Sequence, residues 1–226
     1  MNRTQVVLFG CGRGADTAYR YLTRDSDYTV SGFVIDETHL TMDTHMGLPV
    51  HAFESAPEVF SPDDHEMFVF IGFQEMNGVR ASRYSSAKMM GYRMASYLSS
   101  SNNFLEPPAI GDNCFILGGQ CIDLDVTIGD NVVMWSGNHI GDRSTIESHV
   151  WMSSHVCLSG DTSIGEASFL GIGATVSNGV RVGERTFVGA NALITQDTTP
   201  DAVHIVEGTA AGPLQSDRFL RMIDLH

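Results

Sequence analysis

Along residues 110–194 an aliphatic side chain or a methionine returns at every sixth position without a break: Ile110, Ile116, Ile122, Ile128, Met134, Ile140, Ile146, Met152, Leu158, Ile164, Leu170, Val176, Val182, Val188 and Ile194. The next residue is usually glycine, another small residue or an acid, as at Gly111, Asp123, Gly129, Gly141, Glu147, Ser153 and Gly165. Four places after the aliphatic, small or β-branched side chains recur at Val126, Val132, Val150, Val156, Ala174 and Ala192. An α-helix repeats near 3.6 residues and a half-buried strand at 2, so a period of six fits neither. It predicts a solenoid of short parallel strands joined by corners, each coil burying the aliphatics of the next.

Residues 1–100 follow a different pattern. The apolar run "QVVLFG" predicts a buried strand, and "CGRGADTAYRYLTRD" a glycine-rich turn feeding a helix. A second strand, "YTVSGFVID", closes on Asp36. Further on, "MFVFIGF" predicts a strand, "GVRASRYSSAKMMGY" a helix and "RMASYLS" a last short strand. Strand, turn, helix, strand is the order of a parallel, Rossmann-like βαβ unit. The turn Gly10-Cys11-Gly12-Arg13-Gly14 falls short of the GxGxxG fingerprint, because Ala15 stands where the last glycine would be. It reads either as a cradle for a nucleotide phosphate at a helix N-terminus or as a tight turn without a ligand. Asp36 would meet a ribose or base, or would cap a loop.

Composition narrows the function. The 226 residues are 42% hydrophobic, with room for one large domain or two small ones. No run of about 18 apolar residues exists, so no membrane span is expected. The first residues, "MNRTQVVLFG", lack a signal peptide's apolar core and cleavage site. Cys11, Cys114, Cys121 and Cys157 follow neither CxxC nor zinc-type spacing. Reduced thiols in a cytoplasmic protein are expected. The formal net charge of −14 argues against nucleic-acid binding, though a local nest of N–H groups and an arginine can still hold a small phosphorylated ligand.

The hexapeptide period, the small α/β domain before it, the stretch "NHIGDRS" followed by "SSHV" and "SG", and the late "VHIVEGTAAG" together resemble the hexapeptide-repeat family of bacterial sugar O- and N-acyltransferases. That group includes enzymes that acetylate the amino group of nucleotide-linked amino sugars. The resemblance implies a left-handed parallel β-helix with three hexapeptides per coil, so that residues 110–199 make about five coils, ending in a short C-terminal helix. It further implies an α/β nucleotide-sugar-binding domain over residues 1–103 and an acyltransferase domain with a C-terminal cap over 104–226. The expected reaction is acyl transfer, acetyl first among the candidates, from acyl-CoA to the amine of a UDP-, dTDP- or GDP-linked sugar for glycan assembly. An O-acetyltransferase acting on a sugar hydroxyl and a catalytically silent β-helix module are the alternatives. The family's usual trimer puts active sites at the subunit seam.

With 18 residues per coil, positions 18 apart share a face. The residue before each repeat aliphatic points outward, which gives three columns: Phe115, Val133, Trp151, Phe169 and Phe187; Cys121, His139, Cys157, Thr175 and Leu193; and Thr127, Thr145, Ser163, Arg181 and Thr199. An aromatic outward column on an acidic protein predicts a contact between subunits. His139, His149 and His155 would border that cleft, beside Asn138. An ammonium nucleophile must lose a proton, which suits a neutral histidine, and backbone N–H groups can stabilise the oxyanion. The resemblance places the usual histidine base at Asp142, followed here by Arg143, so His139, His155 or Asp142 is the candidate base, or the protein supplies none. The cysteines are expected to be packing residues. Cys121, His139 and Cys157 lie in line, unlike a tetrahedral zinc site, and no metal is expected. Gly171, Gly173 and Gly189 would let CoA approach the backbone, with Arg181 or Arg185 at its phosphates. The segment "PLQSDRFLRMIDL" is expected to form an amphipathic helix over the last rung.

Overall fold

A computed structural model describes residues 3–223. The first strand, β1 (Thr4–Phe9), enters the glycine turn and leads into α1 (Arg13–Arg24) and β2 (Tyr28–Ile35). The stretch that follows forms the strand pair β3 (Thr44–His45) and β4 (Leu48–Ala52) and the single turn α2 (Ala56–Val59). Then come β5 (His65–Val69), α3 (Gly78–Met89) and β6 (Arg93–Met94). The sheet order is β3-β4-β2-β1-β5-β6, parallel throughout except at β3–β4. Val6, Val7 and Leu8 of β1 are fully buried because both faces of this sheet are covered.

The repeat region is a left-handed β-helix built as three parallel sheets of two-residue strands. Each repeat aliphatic points into the coil, where Ile140, Ile146, Leu158, Ile164, Leu170 and Val176 are all 0% exposed. Burying each such side chain contributes about 1.5–3 kcal/mol relative to leaving it in water. Partners stack in strict register, for instance Cys121 on His139 on Cys157. Corners turn through left-handed residues in three columns, one at Asn113, Asn131, His149, Ala167 and Arg185, one at Gly119, Gly137, His155, Gly173 and Asn191, and one at Asp125, Arg143, Asp161 and Gly179. The small residue after each aliphatic follows from rung spacing: a Cβ on Gly141 would lie 2.5 Å from the nitrogen of Gly160.

Three sequence expectations change. The segment 93–99 is two strands, and the second, β7 (Tyr97–Leu98), pairs with Phe115–Ile116 in the first β-helix sheet. The solenoid therefore recruits chain from before residue 104. The aromatic column is not an open face awaiting a neighbour, since the chain's own α/β domain covers it. Phe115 is 0% exposed, Val133 1%, Trp151 7% and Phe169 8%, all in one apolar cluster with Leu8, Ala18, Phe68 and Phe70. Finally, the terminal helix α4 (Ser216–Ile223) does not cap the last rung, because every described side chain from Ser216 to Met222 is exposed.

Candidate active site

The two histidines expected to be catalytic share an edge, while His149 is the one expected to bind substrate. His139 lies half-buried on the second face, one coil before Cys157, and His155 is the left-handed corner residue that enters the strand at Cys157. The His155 ring lies over Gly137, where a Cβ would come 2.6 Å from its Nδ1. Gly137 sits at φ +81, so glycine there serves both the corner and the ring. Neither imidazole makes a side-chain hydrogen bond among the described residues.

Asp142, the third candidate, sits at the next corner and is ion-paired to Arg143. Arg143 also grips Asp161 through Nε–Oδ1 at 2.7 Å and Nη2–Oδ2 at 2.9 Å. These bonds push the Arg143 pKa up and hold Asp161 below the usual carboxylate range. Asp142 is thus tied into a charge network and is less available than the histidines. A cavity of about 440 Å³ lies against it, lined by Leu105, Ile122, Asp123, Leu124, Asp125 and Arg143. Asn138, expected to meet substrate, is buried instead. Its amide donates to the carbonyl of Trp135 at 2.6 Å and accepts from the N–H of Val156 at 2.8 Å, so it braces the coil.

His149 is separated from the other two. It occupies a different corner column, against α3, and lies in the domain junction. There Arg80, 0% exposed, donates to the Asn131 carbonyl, to Asn131 Oδ1 at 2.8 Å, to Asn77 Oδ1 at 2.9 Å and to the His149 carbonyl at 2.9 Å. Burial without a carboxylate partner pushes the Arg80 pKa down to about 9, and burial followed by the Arg80 charge lowers that of His149. Sequence reasoning missed this junction. Asn131 and Asn113 stand 18 and 36 residues before His149, a signal that was present; Arg80 gave none.

The glycine turn lies at the carboxyl ends of parallel strands, the usual ligand edge of an α/β sheet. Gly10 and Gly14 are held by packing, since a Cβ would lie 2.9 Å from the Phe70 carbonyl and 3.0 Å from its ring respectively. Gly12 faces open space. Arg13 opens α1, exposed and without a carboxylate partner among the described residues. Asp36 closes β2 but is engaged by Arg83, Nε–Oδ1 2.7 Å and Nη2–Oδ2 3.0 Å, so a ribose would have to share it.

The glycines expected to admit CoA have structural reasons of their own. A Cβ on Gly171 would meet the Ala190 nitrogen at 2.6 Å, one on Gly173 the Asn191 Oδ1 at 2.4 Å and one on Gly189 the His204 carbonyl at 3.1 Å. Arg181 is exposed on the hydrophilic third face, and Arg185 pairs with Asp201 at 2.7 Å. Burial pushes the Cys11 thiol up to about 11 and the Cys114 thiol up to about 12, so both remain protonated and neither is an activated nucleophile.

Residues 161–196 match the bacterial transferase hexapeptide family (six repeats), and residues 107–137 match the hexapeptide repeat of succinyl-transferase. No curated protein matches the chain in sequence. Among solved structures, the chain is similar to a mutant of perosamine N-acetyltransferase from Caulobacter crescentus in complex with CoA and GDP-perosamine. That match has 25% identity and a TM-score of 0.79, covering 88% of this chain and 92% of the other. It is also similar to the acetyltransferase domain of PglB from Neisseria gonorrhoeae in complex with acetyl coenzyme A, at 21% identity and TM-score 0.76, covering 88% and 93%. WeeI from Acinetobacter baumannii matches at 16% identity and TM-score 0.74, covering 88% and 96%. The last two bear on the fold alone.

Proposed function

We propose, from the premise that this chain is an acyltransferase of the hexapeptide-repeat, sugar-modifying kind, that it moves an acetyl group from acetyl-CoA to the amine of a nucleotide-linked amino sugar. The observation that carries the reading is the likeness, over 88% of the chain, to an N-acetyltransferase that holds CoA and GDP-perosamine. Two features of this chain support it: the open Gly12 turn with Arg13, which has no carboxylate partner among the described residues and suits a diphosphate, and His139 and His155, which make no side-chain hydrogen bond among the described residues.

In the reaction, the sugar ammonium gives a proton to His139 or His155. The free amine then attacks the thioester carbon, and the tetrahedral intermediate collapses by breaking the carbon–sulfur bond. The nitrogen gives up its extra proton as the amide forms, and the departing thiolate takes up a proton to leave as CoA. Histidine suits the first step near neutral pH. The α/β domain would hold the nucleotide through Gly10, Gly12, Arg13 and Gly14, and CoA would lie along the coils near Gly171 and Gly189. A homotrimer would place a neighbouring copy against the second face, where Leu193 is 62% exposed, and against the exposed apolar residues of α4.

A thermal-shift panel of acetyl-CoA, CoA and UDP-, dTDP- and GDP-sugars tests this, because a ligand of the folded state raises Tm by mass action. Shifts with acetyl-CoA and one nucleotide are expected. A folded protein that none of them shifts is instead the silent β-helix module, a reading favoured by the Asp142–Arg143 ion pair at the position of the expected base.

A further inference from the structure

The domain junction holds a chain of amides whose polarity can be followed from one end to the other. It begins at Val69, the last residue of β5, whose backbone N–H and C=O have fixed roles. The N–H donates to Asn113 Oδ1 at 2.8 Å, and the carbonyl accepts from Asn113 Nδ2 at 2.9 Å. The orientation of Asn113 is therefore set by a peptide and not by choice. Its second Nδ2 hydrogen goes to Asn131 Oδ1 at 2.8 Å, and Arg80 Nη1 donates to the same oxygen at 2.8 Å. Two donors on that atom turn the Asn131 amide so that Nδ2 faces His149 Nδ1, 2.8 Å away. An N–H pointing at Nδ1 requires a lone pair there.

We infer that the α/β domain, through Val69, Asn113, Asn131 and Arg80, locks His149 as a neutral imidazole protonated on Nε2, making it a hydrogen-bond donor and not a base. Asn131 and Arg80 are its positioning residues. The Nε2 side lines a cavity of about 260 Å³ with Met76, Gly78, Ala81, Glu166 and Arg185, so the group offered there is an N–H for an acceptor atom of a ligand. The surrounding charges are compatible with a neutral ring. Arg80 from α3 opposes protonation, Asp130 on the preceding coil favours it, and Glu166 on the following coil stands at 3.8 Å from Nε2, itself exposed to solvent. The Tyr84 ring closes one side at 5.6 Å. Docking of the α/β domain and the proton position on His149 are thus one event, 80 residues apart in the chain.

The test is a long-range proton–nitrogen correlation spectrum of the full protein labelled with [15N]histidine, with His149→Asn to assign the signal. At pH 7.5 the expected pattern is a pyrrole-type Nε2 and a pyridine-type Nδ1. Asn131→Asp keeps an acceptor for Arg80 and Asn113 but presents a second oxygen to Nδ1. It should place a proton on Nδ1 and raise the proton affinity of His149 by about tenfold or more. A wild-type spectrum with the proton on Nδ1 overturns the inference, as does a folded Asn131→Asp variant with an unchanged pattern. Should that variant fail to fold, the wild-type spectrum decides alone. No substrate is needed, so the result stands apart from the acyl-transfer reading.

Discussion

Phe115→Ala is the sharpest test of how the two halves are joined. The side chain leaves the coil outward while its neighbour Ile116 points in, so the substitution removes interface and spares the coil interior. The Phe115 ring is 0% exposed and touches Phe70, Tyr97, Tyr21 and Phe68 at centroid distances of 4.5, 5.3, 5.9 and 6.0 Å. Truncating a buried phenylalanine costs about 3–5 kcal/mol, a figure that already includes its aromatic contacts. A domain of roughly 60–100 residues loses about 4–8 °C per kcal/mol, so the α/β half should melt at least about 12 °C lower. Calorimetry should then show two transitions, the upper one near the wild-type Tm. Hydrogen exchange should report lost protection in β1 and β5 with the inner coil strands unchanged. A single transition at the wild-type temperature would refute the claim that this ring holds the halves together. An equal fall in both halves would refute the separation of the two cores.

Other expectations follow from single contacts. Gly141→Ala forces a Cβ to within 2.5 Å of the next rung and should cost about 3 kcal/mol, whereas Gly12→Ala, facing open space, should stay within about 0.5 kcal/mol; paired urea melts compare them. If the acyl-transfer reading holds, His139→Ala or His155→Ala should lower kcat by about 100-fold or more, measured as CoA thiol release; mild losses in both would remove the histidine base. Asp25 accepts hydrogen bonds from Ser100, Tyr97 and Ser99, and these hold its pKa at about 2, below the ordinary 3.8. Its contribution to stability is therefore complete above about pH 4 and is lost as pH falls through 2. The stability gap between wild type and Asp25→Asn should narrow over that window, and a constant gap would show that the carboxylate's charge is irrelevant.

Period and spacing carried the solenoid because each coil restates the same rule: one inward aliphatic, one small residue, one corner. Periodicity also told which side chains leave the coil, but not what meets them. The column from Phe115 to Phe169 looked like a subunit contact because its cover, the α/β sheet, lies remote in sequence. The separation of His149 from His155 was legible, since a step of six moves a residue to the next corner and a step of 18 returns it. The role of Arg80 was not. An arginine inside a polar helix looks solvated, and only the packed junction shows it buried among neutral oxygens. The pairing of Asp36 with Arg83 was hidden for the same reason, since 47 residues separate the partners.

The unbroken 18-residue coil also bears on how this chain could change length. No rung carries an inserted loop, and rungs interact only with their neighbours, so a whole coil could be duplicated or deleted without disturbing the inward pattern. That freedom is uneven. Between residues 115 and 170 the coils carry the imprint of the α/β domain, and a duplication there would slide Trp151 and Asn131 out from under Phe70 and Arg80. Beyond residue 170 the same operation would only raise or lower the far end. In such a fold, growth by repetition is open at one end and closed at the other, and the docked domain sets the point where one gives way to the other.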